Sequence, residues 1–147
     1  MGGRTLRLRV KLSMAIGAAA LAMSGIAITP ATAADVGEQA YSCNVTQSGS
    51  GTDNRKYYAG YYSGETIQPS STSVSAAGTE AQCLLKHKGY SPGTVDGIFG
   101  SNSQTAAKKF QARVNELCGE KVLDVDGEVG PKTWPYLRQV FVCWEQD

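Results

Sequence analysis

The side chains that could carry catalysis in this chain are few and poorly placed for it. A hydrolase needs zinc ligands, a Cys–His pair or two carboxylates in a cleft. The chain has one histidine, His87, and its four cysteines are too far apart for the closely spaced ligand pairs of zinc sites. Asp124, Asp126 and Glu128 form a D-x-D-G-E string, but the remaining ligand spacing of a calcium loop is absent. We therefore expect no catalytic residue, no metal and no cofactor.

The first 33 residues have the pattern of a secretory signal peptide. Four cations and no anion precede an apolar or small run at residues 12–28, and Ala-Thr-Ala at residues 31–33 has the A-x-A form of a cleavage site. The run is at the short end for a retained membrane anchor. We expect cleavage after Ala33, with Ala34 as the near alternative, and an exported protein.

Removal of that segment reverses the sign of the net charge. The whole chain has 14 Lys and Arg against 13 Asp and Glu, and the four cations that leave make the mature net charge −3. The 114 residues that remain are enough for one domain. A mildly acidic protein lacks the basic surface that binds nucleic acid or anionic lipid. We expect neither as a partner, no membrane contact after cleavage, and a monomer.

The four cysteines are Cys43, Cys83, Cys118 and Cys143. An even number in an exported chain predicts two disulfides, and each would stabilise the fold by about 2–4 kcal/mol. Spacing does not select among the three possible pairings. Because Cys83 and Cys118 fall on two neighbouring predicted helices, and the other two lie near the chain ends, we expect Cys83–Cys118 and Cys43–Cys143.

The mature chain has two parts of different amino-acid composition, residues 34–78 and 79–147. The first part is rich in Gly, Ser, Thr and Tyr, which predicts one or two short strands tied down by Cys43, with a hairpin as one arrangement. Residues 68–73 have the composition of a linker or loop. The aromatic cluster of this part consists of four tyrosines, Tyr57, Tyr58, Tyr61 and Tyr62.

Residues 79–147 predict helices. Thr79-Glu-Ala-Gln82 has the form of a capping box and Gly89 suits a C-terminus, so the first helix spans about 79–88. The second follows Gly100 and ends at Gly119, and its buried face is predicted from apolar spacing: Ala106, Ala107, Phe110, Val114 and Leu117. Polar residues lie off that face: Lys108, Lys109, Gln111 and Arg113.

The third helix is expected after Gly130. Pro131 suits the first helical position. Pro135 is tolerated only in the first turn, so the helix starts late or is kinked. An apolar stripe continues the helical spacing toward the end of the chain: Trp134, Leu137, Phe141 and Trp144.

Two segments repeat at an interval of 30 residues. Residues 95–103 and 125–133 both read V-D-G-x-[FV]-G-x-x-[ST], and each precedes a predicted helix. The Asp accepts backbone N–H groups two or three residues on, and the next Gly allows a positive φ. We expect tight turns built by Asp96, Gly97, Phe99 and Gly100 in the first copy and by Asp126, Gly127 and Gly130 in the second.

Residues 82–100, Lys109-Phe110-Gln111 and residues 125–134 together resemble the peptidoglycan-binding-domain-like family of bacterial cell-wall proteins. The resemblance covers about residues 79–138. It implies a mainly α fold, a compact three-helix bundle with a shallow groove for peptidoglycan, here preceded by the tyrosine-rich segment. Three features depart from the family: a longer connection at residues 115–123, Pro135 in place of a helix former, and no attached catalytic domain.

Six residues of the matching region are candidate contacts to peptidoglycan. Sugars lie against aromatic faces, so Tyr90 and Trp134 are candidates, although Phe99 and Trp134 also suit a small core. The polar candidates lie at loop and helix starts: Ser91, Asn102, Gln104 and Lys132. The tyrosine cluster is either a second sugar platform or one face of a strand packed on the bundle.

The sequence therefore predicts a secreted, non-catalytic protein that binds peptidoglycan and is extracellular or associated with the cell wall. Two alternatives stay open. The bundle could serve as a scaffold while the tyrosine-rich segment binds another envelope protein. The chain could also be a divergent wall hydrolase or an inhibitor.

Overall fold

A computed structural model describes residues 40–51, 54–140 and 143, so the predicted signal peptide lies outside the described residues. The elements are β1 (Thr46–Ser48), β2 (Lys56–Tyr58), α1 (Ala76–His87), α2 (Ser101–Cys118) and α3 (Thr133–Arg138). The expected mainly α, three-helix fold with a short hairpin and two disulfides is confirmed. Within the described part, none of the helices has both the length and the apolar character needed to cross a membrane.

Helix α1 begins three residues earlier than its sequence predicts. Ser75, not Thr79, is the N-cap, since the Ser75 hydroxyl accepts the N–H of Gly78 at 3.0 Å. Thr79 lies buried inside the helix and donates its hydroxyl to the Ser75 carbonyl. At the other end, Gly89 follows the C-cap with φ +86°, as the sequence predicts.

Helix α2 has the expected limits, with Gly119 in the left-handed conformation at its end. Its buried face differs from the prediction at two positions. Leu117 is 50% exposed, whereas Gln111, expected off the apolar face, is buried. Gln111 is buried because the second turn packs against α2 and its polar groups bond to the Gln111 amide.

Helix α3 starts late, as Pro135 requires. Pro135 is its third residue, where no intrahelical N–H bond is needed, and Pro131 precedes the helix instead of opening it. The helix ends at Arg138, after which Gln139 is extended and forms a bridge with Lys56 of β2. The rest of the predicted stripe, Phe141 and Trp144, lies outside the described residues.

The core lies between the three helices and the two turns. Trp134 and Leu137 of α3 pack with apolar residues of both other helices and with the fifth residue of each turn, Phe99 and Val129. Tyr57 and Tyr62 of the N-terminal segment pack against the same cluster. The segment therefore adds apolar surface to the core of the bundle.

The expected disulfide pairing is wrong. The bridges join Cys43 to Cys83 and Cys118 to Cys143, with Cα–Cα distances of 5.3 and 5.2 Å. Adjacent helices do not bring Cys83 and Cys118 together, because Cys83 lies inside α1 on the side that meets the N-terminal segment. Cys118 is the last residue of α2, where the chain returns after the short α3.

A buried ion pair holds the tyrosine-rich segment against the helices. Glu80 of α1 and Arg138 of α3 have no exposed surface, and their side chains meet at 3.0 Å. The Glu80 carboxylate also accepts the N–H groups of Ala59 and Tyr61, each at 2.9 Å. Arg138 donates to the carbonyl of Tyr62 at 2.6 Å. Three segments far apart in sequence are thus joined at one buried point.

Residues 68–73, expected as a linker or loop, are also bonded to the bundle. The indole N–H of Trp134 donates to the carbonyl of Ile67 at 2.9 Å. The Phe99 N–H donates to the carbonyl of Ser70 at 2.8 Å, and Pro69 is buried between these two bonds in the chain. This stretch is a loop with a defined path over the core.

Candidate functional site

The first V-D-G turn is held by a glutamine from α1. The amide nitrogen of Gln82 donates to the carboxylate of Asp96 at 2.9 Å, the carbonyl of Ile98 and the hydroxyl of Ser103, both at 3.0 Å. Its amide oxygen accepts the N–H of Gly97 at 2.8 Å. The same Asp96 oxygen accepts the Ile98 N–H. Gln82 is only 1% exposed, so it acts as a buried clamp on the turn.

The second turn repeats this arrangement with a glutamine from α2. The amide nitrogen of Gln111 donates to the carboxylate of Asp126 at 2.8 Å and to the carbonyl of Glu128 at 3.0 Å. Its amide oxygen accepts the N–H of Gly127 at 2.9 Å. Asp126 accepts the N–H of Glu128, as Asp96 does in the first copy. The internal repeat therefore includes the clamp as well as the turn.

The glutamines were not recognised from the sequence as part of the repeat, although a signal was present. Gln82 precedes Asp96 by 14 residues and Gln111 precedes Asp126 by 15. In both turns the glycine after the aspartate has a positive φ, +81° at Gly97. A side chain with one donor and one acceptor group suits this place because each turn offers carbonyls and an N–H together.

The long connection before the second turn is held by Asn115 of α2. Its side-chain oxygen accepts the N–H groups of Val122 and Leu123, at 3.0 and 2.8 Å. Its nitrogen donates to the carbonyl of Leu123 at 2.8 Å. The departure from the family's usual length is thus accommodated without loosening the chain that enters the turn.

Each turn borders a concave surface together with the start of the following helix. The first-turn concavity, of about 290 Å³, is lined by residues 94, 96, 98 and 100–103, together with Gln82 and Pro92. The second-turn concavity, of about 350 Å³, is lined by residues 124, 126, 128 and 130–133, together with Gln68 and Leu123. Seven lining positions correspond at the 30-residue interval. The two concavities are therefore copies of one architectural unit.

The polar candidates do not form one cluster. Asn102 lines the first-turn concavity and Lys132 lines the second. Ser91 is exposed in the loop that leads into the first turn. Gln104 is half-buried and donates to the carbonyl of Phe99, so its amide supports the turn.

The aromatic candidates are drawn into the core to different degrees. Trp134 is fully buried with its N–H bonded to a backbone carbonyl, so it cannot contact a ligand in this conformation, and the alternative of a core role applies. Tyr90 is half-buried with its ring edge-to-face against Phe110 at 5.7 Å. This burial raises the pKa of the Tyr90 phenol. Neither ring offers an open stacking face at either concavity.

Charge is concentrated at the second-turn concavity. Asp124 pairs with Lys121 at 2.9 Å, and this hydrogen bond lowers the pKa of the Asp124 carboxyl. Asp124 is therefore ionised at neutral pH. Glu128 and Lys132 are exposed at the same concavity and form no ion pair with another described residue.

Lys88, the C-cap of α1, is a half-buried cation outside both concavities. Its ammonium donates to the carbonyl of Gln139 at 2.6 Å and lies 5.5 Å from the ring centre of Tyr57. No carboxylate pairs with it among the described residues, and burial lowers the pKa of Lys88 to about 8. The site costs stability while the amine is protonated.

Residues 40–51, 54–140 and 143 hold neither a metal-binding cluster nor a free thiol. No group of three His, Cys, Asp or Glu side chains there could hold a metal ion. All four cysteines are in disulfides, so none is a thiol nucleophile. His87 packs edge-to-face on Tyr57 at 4.5 Å.

The region that contains both turns is similar to a known protein family. A family model described as "Putative peptidoglycan binding domain" matches residues 74–137. The matched range starts just before the Ser75 cap and includes α1, both clamped turns, α2 and all but the last residue of α3. No solved structure matches the chain.

Proposed function

From the match of residues 74–137 to the family model of a putative peptidoglycan-binding domain, we propose that the protein is a secreted, non-catalytic protein that binds the peptidoglycan of the cell wall. Binding is non-covalent, through the two concavities. The observation that carries this proposal is the duplicated clamp, which holds two turns rigidly next to exposed polar side chains.

Rigid presentation favours binding because the surface is ordered before the ligand arrives. A loop that must be ordered on binding loses affinity to conformational entropy, whereas a clamped turn does not. The buried amides of Gln82 and Gln111 satisfy the main chain of each turn, so side chains such as Asn102 and Lys132 remain available to a ligand. Two sites on one rigid body also suit a repetitive polymer, because the second contact forms at high effective concentration.

Export is supported by the pattern of residues 1–33 and by the two disulfides. Disulfides form and persist in oxidising compartments and are rare in the cytosol. Both bridges hold terminal segments to the bundle, Cys43 to α1 and Cys143 to the end of α2. The disulfides are therefore consistent with a protein that acts outside the cytosol, where the wall is found.

The test is co-sedimentation of oxidised residues 34–147 with purified insoluble peptidoglycan, with cellulose and chitin as control polymers. We expect retention on peptidoglycan alone and no release of soluble wall fragments. The variants Asn102→Ala and Lys132→Ala are each expected to lower retention. Lys109→Ala is the matched control, since Lys109 is exposed on α2 and lines neither concavity.

Absence of retention by folded protein would refute the proposal. Equal losses in Lys109→Ala and Lys132→Ala would refute the assignment of binding to the concavities. Release of soluble fragments would refute the non-catalytic part and favour the hydrolase alternative.

A further inference from the structure

The two concavities have the same architecture but different chemistry. Three of their matched lining positions are neutral in the first-turn concavity and charged in the second. The three pairs are Thr94 and Asp124, Ile98 and Glu128, and Asn102 and Lys132. Each concavity also has an aspartate at the same matched position, Asp96 in the first and Asp126 in the second.

We propose that the second-turn concavity binds the stem peptide of peptidoglycan, by pairing with an ammonium and a carboxylate that the peptide carries. This inference rests on the proposed function, and it assigns one chemical part of the polymer to one concavity. A glycan strand offers hydroxyls and amides, for which side chains such as Glu128 and Lys132 have no special complementarity. A short peptide with free charged groups of both signs matches them.

The charges at this concavity are available for a ligand. Asp124 is already paired with Lys121, but Glu128 uses only its backbone atoms in the turn, where its N–H bonds to Asp126 and its carbonyl to Gln111. The Glu128 carboxylate is therefore not part of the fold. Lys132 is near enough to Asp124 to help lower the pKa of that carboxyl, but it makes no ion pair within 4.0 Å of a described residue. Substitution of either side chain leaves the clamp intact.

Mixed charge distinguishes this surface from a general anion or cation site. Glu128 attracts an ammonium and Lys132 attracts a carboxylate, so a ligand with both groups gains twice, whereas a simple ion gains once and is repelled by the other group. Because both side chains are exposed, their contributions are modest and screened by salt. Binding of the peptide is therefore expected to weaken as salt is raised.

The experiment compares two soluble probes: muropeptides, in which the stem peptide stays amide-linked to its sugar, and neutral glycan strands without stem peptide, which are N-acetylglucosamine oligomers of matched length. Each is titrated into oxidised residues 34–147 and followed by backbone amide NMR. The test variant is Glu128→Gln with Lys132→Asn, which removes both of these charges. The matched control is Glu120→Gln with Lys109→Asn, which makes the same changes at exposed positions outside both concavities.

We expect the stem peptide to shift amides of residues 124–133 and to bind about tenfold more weakly to the test variant than to the control. Binding of glycan strands without stem peptide, equal peptide affinity in both variants, or peptide shifts confined to residues 94–103 would overturn the inference. Retention on intact peptidoglycan, measured in parallel, separates this failure from failure of the proposed function. If retention is normal and the peptide does not bind, only the assignment of the stem peptide is refuted.

Discussion

Replacement of Gln111 by leucine removes the clamp on the second turn at nearly constant side-chain size. The Gln111 amide nitrogen has two hydrogens for its three neighbouring acceptors, and its oxygen accepts the Gly127 N–H, so about three hydrogen bonds are lost. Each contributes about 1 kcal/mol net, and a buried N–H left without a partner costs about 1–3 kcal/mol. The added apolar burial of leucine offsets part of this. We expect the free energy of unfolding to fall by about 3 kcal/mol.

The assay is urea unfolding of oxidised residues 34–147, with Gln104→Leu as the control. Gln104 lies on the same helix and undergoes the same chemical change, but it is half-buried and its amide makes one bond of 3.2 Å, to the Phe99 carbonyl. We expect the control to lose less than about 1 kcal/mol. The urea midpoints of the two variants are compared only if the free energy of unfolding depends on urea concentration with the same slope in both. A difference in midpoint then reports stability and not a changed denatured state.

Equal small losses in the two variants would refute the reasoning. They would show that the second turn holds its own shape through Asp126 and its glycines, with the buried glutamine contributing little. A large loss in Gln104→Leu would refute it differently, by showing that burial of any glutamine on this helix is equally important.

Three further predictions concern an ion pair, a lysine and a disulfide outside the clamps. Arg138→Met leaves Glu80 buried without its cation, so urea unfolding should show a loss of about 3–5 kcal/mol; combination with Glu80→Gln should cost less than the sum of the single losses, and simple additivity would contradict this. Lys88 has its pKa lowered to about 8 from 10.5, so the folded protein loses that proton first and its stability should rise between pH 8 and 10.5 by up to about 3 kcal/mol. Lys88→Met should flatten that rise in a pH series of unfolding curves, and an unchanged profile would contradict the assignment. Replacement of Cys118 and Cys143 by serine should cost about 3 kcal/mol, given the 25-residue separation, and an unchanged thermal midpoint would show that the bridge does not constrain the chain.

The helices were predictable because their signals are local. The limits of α2 follow from Gly100 and Gly119, and the late start of α3 follows from Pro135. The start of α1 was misplaced because the sequence offers two hydroxyl caps, Ser75 and Thr79. Ser75 is the cap since its oxygen reaches the Gly78 N–H, while Thr79 bonds back to the preceding turn of its own helix.

The other features that the sequence does not predict depend on segments far apart in the chain. The polar side chain of Gln111 favours the solvent side, although Ala107 and Val114 share its face of the helix. Only the turn folded against α2 gives its buried amide partners. Glu80 and Arg138 are 58 residues apart, and nothing in either local sequence indicates the other. The disulfide pairing failed for the same reason, because it depends on which face of α1 the N-terminal segment covers.

In each concavity the residues that hold the turn differ from the lining side chains that face a ligand, which we call the rim. This division explains how one architecture can carry two chemistries. The clamp on the second turn uses the Gly127 N–H, the Glu128 carbonyl and the Asp126 carboxylate, and the first clamp uses the matching atoms. The side chains of residues 94, 98 and 102 and of their partners 30 residues on are absent from that set of bonds. Rim side chains can therefore differ in charge without altering the turn. For this reason, a change in binding on substitution of Glu128 would report recognition and not folding.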